Sequence, residues 1–429
     1  MAGANPRLRP VEAFVVRSKG REMVALHDPL RYSEEIVLVS PEAMMILSAF
    51  DGTRDVRQVQ EELMRQTGQL LPSAEIEAML AKLDEAHLLE NENFAVFLAG
   101  KVAEYAKLTD RPAALAGQAY PKEPEELRKT LDGYFLEAAR LPDDALHGGA
   151  AAARIVLPAG FEREAPADEG GTVRGLIAPH IDPRRGGACI AKAYAKARQD
   201  PADLYVIFGT AHGECESPYA LTRKNYETPL GVAKTDRALV DSLVATLGPE
   251  ALSDEFAHKT EHSIEFQVLF LQHALAGKPF QILPVLCGSL HQAIIAGMSP
   301  DLADMRVARF HFTLASELAK GRGKICFIAG ADLSHIGMRF GDRTAPDEKS
   351  LADTERHDRA LLAAAAGADA AAFDETIRND RDRHRVCGYS PIYALLRATV
   401  GATGRLLRYE QSQEKETGSM VSFASLVLR

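Results

Sequence analysis

The 429-residue sequence predicts an α/β protein, a mixed and mostly parallel sheet flanked by helices, preceded by a small α+β unit. Three observations predict it. Four apolar runs, TVRGLIAPH, DLYVIFGTAH, FQILPVLCGS and KICFIAGADLSH, have the length and near-unbroken hydrophobicity of strands buried on both faces. Helical patterns alternate with them in GGACIAKAYAKA, ALVDSLVATLG, EHSIEFQVLFLQHAL and FTLASELAKG. The first hundred residues differ in character, and the length is two to four times that of a usual domain, so one large domain and a smaller one are expected.

Within residues 1–100, VEAFVVRS and EEIVLVS read as short strands, and Ser40-Pro41 opens the helix PEAMMILSAF through the N-cap and N1 preferences. Asp51-Gly52 marks a turn. Val56, Val59 and Leu63 give DVRQVQEELMRQTG a helical stripe, and Ile76, Met79, Leu80 and Leu83 do the same for SAEIEAMLAKLDEAHLL, with Ser73 as its cap. ENENFAVFL is expected to return as a strand or wing, which makes the unit a winged helix. Its 10 Lys plus Arg against 16 Asp plus Glu, with no basic stripe on the third helix, point to peptide or protein contact rather than DNA. Residues 101–112 read as a helical linker and 113–429 as the main domain. RLLRYEQSQ and SMVSFASLVLR close the chain as strands, and the Ala-rich residues 361–372 read as a surface helix.

Hydrophobic residues make up 46% of the chain and charged ones 26%, the balance of an ordinary folded protein. With 50 basic against 60 acidic residues, a formal charge of −10, no whole-chain positive field attracts phosphate backbones, so nucleic acid is not an expected partner. No stretch approaches the roughly 18 to 20 apolar residues of a membrane span, and MAGANPRLRPVEAFVV lacks a secretory h-region. A cytoplasmic protein without membrane partners is expected. The five cysteines are scattered and free of any CxxC pair, which suits a reducing compartment in which each thiol acts singly.

The chemistry is expected where the strands end. In open α/β sheets ligands bind beyond the carboxyl ends of the strands. Here His180 follows GLIAP, His212 follows YVIFGTA, and Asp332 and His335 follow CFIAGA. Pro179, Gly209 and Gly330 sit just before these groups, turning the side chains out from the sheet edge. A lone strand-end histidine is usually a hydrogen-bonded structural group, but three such ends make a shared polar site the better reading. Cys387, in RHRVCGYSPIYALLRA, precedes a helix beginning near Ser390-Pro391, whose N-terminus would lower the thiol pKa and favour a thiolate, as nucleophile or ligand. Cys189, Cys287 and Cys326 lie in apolar runs and read as small buried hydrophobes. In TEHSIEFQ, His262 and Glu265 share one side of a helix start, with His262 the functional candidate, and Glu261 and Glu265 equally explicable as first-turn carboxylates. No HExxH, Walker, GxSxG or strand-linked GxGxxG motif occurs.

Taken in order, AGQAYP, IAPHIDPRRGGACIAKAY, FGTAHG, EHSIEFQ, ILPVLCGSL, GADLSHIG and CGYSPI resemble the Memo family, whose bacterial members are called AmmeMemoRadiSam system protein B. The resemblance runs from about residue 113 to the carboxyl terminus. It implies a fold like that of the class III extradiol dioxygenases and a metal held by His180, His212 and Cys387, with Asp332, His335 and His262 lining the pocket. It implies iron. Mixed N and S donors suit Fe(II), Cu or Zn and exclude Mg and Ca. The chain departs from the family pattern at Ile181-Asp182-Pro183, where Ala-Gly-Tyr is usual, and at Gly213, where some relatives carry a second histidine.

The amino-terminal unit resembles PqqD-like peptide-binding domains through L-V-S-P-E-A, the D-G-T turn and the helix ending at Leu88-Leu89. The function expected is a non-haem metal-dependent oxidoreductase with His262 as acid or base and an unidentified small molecule or peptide as substrate. One alternative is a non-catalytic iron-handling or adaptor protein recruiting a peptide, a radical SAM protein or an AMMECR1-like partner through its first unit. A second is a hydrolase with Cys387 as nucleophile beside His180 or His335.

Overall fold

Two units divide the chain between Leu108 and Thr109. The computed structural model describes residues 5–18, 20–68, 72–146 and 171–429. The first unit contains strands β1 (Glu12–Ser18), β2 (Arg21–His27) and β3 (Val37–Val39), and helices α1 (Pro41–Leu47), α2 (Val56–Thr67), α3 (Ser73–Glu85) and α4 (Glu92–Ala106). The strands form an antiparallel sheet in the order β1-β2-β3. Ser40 caps α1 by accepting from the Ala43 N–H at 3.2 Å, and Asp55 and Gln58 form a reciprocal capping box on α2.

Two expectations fail here. Ser73 is the first residue of α3 rather than its cap, and its hydroxyl donates to Gln60 Oε1 instead. ENENFAVFL is neither strand nor wing but the start of α4. Asn91 caps the N–H of Phe94 at 3.0 Å, and the helix-favouring residues that follow carry the backbone to Ala106. Leu26, Ile46, Leu47, Phe50, Val59, Ile76, Leu80, Leu83 and Leu88 form the unit's own core.

The second unit opens with β4 (Asp110–Arg111), inside the stretch expected to be linker, and α5 (Pro124–Arg140). There follow β5 (Gly175–Ala178), α6 (Pro183–Gln199), β6 (Leu204–Thr210), β7 (Tyr219–Leu221), β8 (Asn225–Thr228), β9 (Gly231–Thr235), α7 (Arg237–Leu247) and α8 (His262–Leu275). Then come β10 (Gln281–Cys287), α9 (His291–Ala296), α10 (Pro300–Ala303), α11 (Met305–Leu318), β11 (Ile325–Gly330) and β12 (His335–Gly337). Helices α12 (Glu348–Ala366), α13 (Ala370–Asp380) and α14 (Tyr389–Ala398) and strands β13 (Gly404–Glu414) and β14 (Ser419–Leu428) complete the unit.

Among the described residues these strands make one sheet in the order β12-β14-β5-β11-β6-β10-β9-β8-β4, with β13 on β14 and β7 on β10. Its centre, β5-β11-β6-β10, is parallel. Both faces are covered. Val206, Phe208, Val285 and Ala329 pack with α7, α11 and α12–α14, whereas Tyr205, Ile207, Ile282 and Ile328 pack with α5, α6 and α8. Successive residues of one strand thus enter opposite cores, which is why these strands read as continuous apolar runs.

The Ala-rich stretch 361–372 is not one surface helix. It is the end of α12 and the start of α13, broken at Gly367 and Ala368, with Asp369 capping α13 and Leu361, Leu362 and Ala364 to Ala366 buried. Alanine there allows close helix approach rather than exposure. Among the described residues no helix is long and apolar enough to cross a membrane.

Candidate metal centre

The central strands end level. Gly330 of β11 pairs with Ala178 of β5 and with Gly209 of β6. His180, His212 and Asp332 each stand two residues beyond the end of their strand, so the register delivers all three to one sheet edge. The Gly330 carbonyl accepts from His180 Nδ1 at 2.8 Å. A Cβ on Gly330 would lie 2.5 Å from the Ser263 carbonyl, so the missing side chain lets the first turn of α8 descend onto the strand end.

That first turn is held from below by a buried cation. Arg111 donates through Nε to the His258 carbonyl at 2.8 Å and through Nη2 to the Glu261 carbonyl at 2.7 Å, while Nη1 meets Glu265. Glu265 also accepts from Tyr120 and from the N–H groups of Ala114 and Leu115. Burial opposes its charge, but Arg111, Tyr120 and these N–H groups outweigh it and hold the carboxyl below its ordinary range. Glu265 therefore braces the helix and is turned away from the shared centre that its spacing from His262 had allowed.

Glu261 is the hinge of the site. As the N-cap of α8 it accepts from the Ser263 N–H at 2.9 Å, and its other oxygen accepts from the His212 N–H at 2.9 Å. His212 Nδ1 lies 3.1 Å from both oxygens, and His262 Nδ1 lies 3.3 Å from Oε1. Burial alone would raise this carboxyl, but His212, His262 and the N–H groups bring it well below the usual carboxylate range. The ionised group can only accept, so the His212 proton sits on Nδ1, and a carbonyl acceptor fixes the same tautomer for His180.

Three imidazoles converge as a result. The His212 and His262 rings stack at 4.8 Å with 14° between planes, and His180 meets them edge-on at 4.9 and 5.3 Å. One ligand-capable atom from each ring lies within 4.8 Å of the others. Cys387 Sγ lies 3.4 Å from His180 Nε2. Asp332 Oδ1 accepts from the N–H groups of His180 and Ile181 at 3.0 and 3.1 Å, and its Oδ2 stands 3.7 Å from His180 Nε2. His335 is tied through Nδ1 to the Leu333 carbonyl at 3.1 Å and packs edge-on against Phe340. His180 and Asp332 are buried, whereas the His212 and His262 side chains are 40% and 32% exposed, so the cluster has a solvent-facing side.

The surroundings set the protonation states. Burial, with His212 nearby, lowers His180 to about 3, and burial lowers His262 to about 4 against the opposing pull of Glu261. His212 is raised, because Glu261 outweighs its burial. Asp332 is raised by burial. The expectation of a lowered thiol at Cys387 is overturned: burial, with Asp332 and Glu261 beside it, pushes the thiol well above its ordinary value. A helix N-terminus two residues away does not compensate for desolvation next to carboxylates. A thiolate in this position calls for a cation at the site.

The donor set fits a transition metal. Each of His180, His212 and His262 has Nδ1 beside a carbonyl or carboxylate, the orientation that leaves Nε2 free for a metal. Thr210 Oγ1 donates to the Cys387 carbonyl at 3.1 Å, and Gln267 Nε2 donates to the Pro179 carbonyl at 3.0 Å, so the backbone on either side of the cluster is anchored. A Cβ on Gly388 would lie 2.2 Å from the Asp332 carbonyl oxygen, so only glycine lets the Cys387 loop close on β11. The segment Ile181-Asp182-Pro183 is a helix start: Asp182 caps the Arg184 N–H at 2.9 Å, Pro183 takes the first position of α6, and Ile181 is buried. Arg111 was not singled out from the sequence, and Glu261 was read there only as a first-turn carboxylate; the one sign of its further role was its place directly before a histidine at a helix start.

The second unit is thus a three-layer α/β domain with a histidine-rich cluster at the ends of its parallel strands. Residues 111–427 match the family model described as Memo-like protein, and the chain belongs to this family. It is 28% identical over 420 residues to a MEMO1 family protein of Aquifex aeolicus, covering 97% of this chain and 98% of that one. It is 32% identical over 264 residues to a MEMO1 family protein of Methanococcoides burtonii, covering 60% and 87% of the two chains, and 28% identical over 323 residues to one of Methanosarcina barkeri, covering 74% and 99%.

Proposed function

We propose that the chain holds a transition metal, Fe(II) first and Cu or Zn as alternatives, on His180, His212 and Cys387, and works as a non-haem oxidoreductase whose fold is akin to the class III extradiol dioxygenases. The supporting observation is the convergence of imidazoles whose Nδ1 atoms are already engaged, with the half-buried Cys387 thiol 3.4 Å from the innermost ring. Bound ferrous iron would supply a one-electron redox centre with positions left for a small ligand. His262, stacked on His212 and partly exposed, would exchange protons with a substrate entering from the solvent side. Asp332 and His335 would hold protons on the buried side, and Glu261 would keep both exposed rings in orientation. The test is oxygen uptake with catechols by anaerobically iron-loaded protein. Uptake abolished in Cys387→Ala and reduced in His262→Ala supports the reading; no uptake by the loaded wild type counts against catalysis.

An adaptor role rests on a separate observation: Phe14, Val15, Ile36, Leu38 and Met45 of the first unit are exposed apolar side chains. Recovery of a radical SAM or AMMECR1-like partner by the full chain and not by residues 109–429 would support it, and equal recovery would contradict it. The hydrolase alternative has Sγ 3.4 Å from His180 Nε2, but desolvation, with Asp332 and Glu261 nearby, pushes its thiol well above the ordinary value. Labelling of Cys387 that is unchanged by added Fe(II) would revive it.

A further inference from the structure

Four side chains able to bind a metal gather at a second place, on α12, at the end of α13 and in the turn that follows. Asp353 and His357 stand one helical turn apart on α12, and Asp380 and His384 repeat that spacing at the close of α13. The His357 and His384 rings stack with centroids 4.2 Å apart and 23° between planes. Asp380 Oδ2 lies 2.7 Å from His384 Nδ1 and 3.5 Å from His357 Nε2, and Asp353 Oδ2 lies 3.7 Å from His384 Nε2. One ligand-capable atom from each of His357, Asp380 and His384 lies within 4.8 Å of the other two.

The arrangement is incomplete as it stands. The His357 side chain is only 9% exposed, yet neither ring nitrogen has a hydrogen-bond partner among the described residues. Buried polar atoms are as a rule hydrogen-bonded, so an imidazole with no hydrogen bond at either nitrogen, facing a carboxylate and a second imidazole, marks a place for a ligand. Asp358, 3.7 Å from His357 Nδ1, does not supply the missing bond: its carboxylate already accepts from Ser334, Ser422 and Tyr409. Arg383 lies along the outside of the cluster, donating to Asp380 Oδ1 at 2.5 Å and to Asp353 Oδ2 at 2.8 Å. Asp380 Oδ2, on the ring side, is left facing the two histidines.

We propose that His357, Asp380 and His384 form a second metal site, for a zinc-like divalent transition ion, with Asp353 able to complete a tetrahedral set by releasing Arg383. Two imidazoles and one or two carboxylates are a borderline donor set, suited to Zn or its neighbours and poor for Mg or Ca. The site is separate from the strand-end cluster but tied to its scaffold. The His384 carbonyl accepts from the His335 N–H at 2.7 Å, and His384 lies three residues before Cys387. An ion there would fasten α12 to the turn between α13 and α14.

The experiment is a zinc titration of the full chain, with stoichiometry read by a competing chromophoric chelator. His357→Phe keeps the stacked ring and removes both nitrogens, and His384→Phe does the same at the other position. Each is expected to lower the zinc stoichiometry by one relative to the parent, whether or not the strand-end cluster also binds zinc, and to abolish the corresponding rise in Tm. Cobalt loading separates the two sites, because only the strand-end cluster offers sulfur and so a sulfur-to-cobalt charge-transfer band; the band should persist in His357→Phe. A folded His357→Phe protein that retains the parent stoichiometry overturns the proposal. If that variant does not fold, Asp380→Asn takes its place, with the same loss expected and an unchanged stoichiometry again contradicting it.

Discussion

Replacing Glu261 by glutamine tests how the two exposed histidines are held. The carboxylate accepts on both oxygens: Oε1 serves the Ser263 N–H and faces His262 Nδ1, Oε2 serves the His212 N–H, and His212 Nδ1 is within reach of each. An amide has one accepting oxygen. Whichever way it is turned, its NH₂ faces an N–H donor, either at the start of α8 or at His212. One buried donor is left unsatisfied, at a cost of about 1–3 kcal/mol in folding. Loss of an outer carboxylate that orients ligating histidines typically weakens metal binding about 10–100-fold, or about 1.4–2.8 kcal/mol. Urea unfolding of the metal-free proteins measures the first effect, and anaerobic chelator competition with Fe(II) measures the second. A folded Glu261→Gln protein binding metal within about twofold of wild type would refute the argument that this carboxylate sets the geometry.

Three further outcomes follow. Arg111→Met strands the Glu265 carboxylate, whose exposure is nil, and should cost about 3–5 kcal/mol in urea unfolding; a loss under about 1 kcal/mol would contradict the bracing role. Gly388→Ala forces the backbone away from the Asp332 carbonyl and carries Cys387 with it, so metal affinity by chelator competition should fall about tenfold or more, and unchanged affinity would show that the loop has room. His258 and His311, away from the cluster, are both lowered by burial from 6.5 to about 4. The unfolded chain takes up protons as pH falls through the ordinary histidine range, and the folded chain does so only near 4. The stability that their neutrality contributes is thus full at neutral pH and is lost on acidification, by about 2 kcal/mol for each at pH 5. Urea midpoints of the metal-free protein at pH 7 and pH 5 check this, and a flat profile would contradict it.

What could be read from the sequence was the part governed by local pattern. The buried strands announced themselves as apolar runs, and His180, His212 and Asp332 were legible because each follows such a run past a proline or glycine. Their convergence depends on the level register of β5, β11 and β6, which no single-strand pattern contains. Arg111 escaped, and Glu261 was legible only as a helix-start carboxylate, because their roles in the site are long-range: Arg111 reaches carbonyls some 150 positions away. The α4 segment was misread because a nine-residue window with two phenylalanines does not separate strand from helix, and the Asn91 cap decides it. The state of the Cys387 thiol was misjudged for a related reason: the helix start is visible in the sequence, whereas Asp332 and Glu261 reach the thiol only through the fold. The same limit hid the pairing of His357 with His384, 27 residues apart.

In the proposed site two histidines and a cysteine from distant stretches of the chain hold one ion. X-ray absorption at the zinc edge, on zinc-loaded His357→Phe protein so that only the strand-end cluster contributes, tests it most directly. One sulfur scatterer at about 2.3 Å is expected with nitrogens at about 2.0–2.1 Å, the sulfur vanishing in Cys387→Ala. A first shell of nitrogen and oxygen alone, the same with and without Cys387, would contradict it.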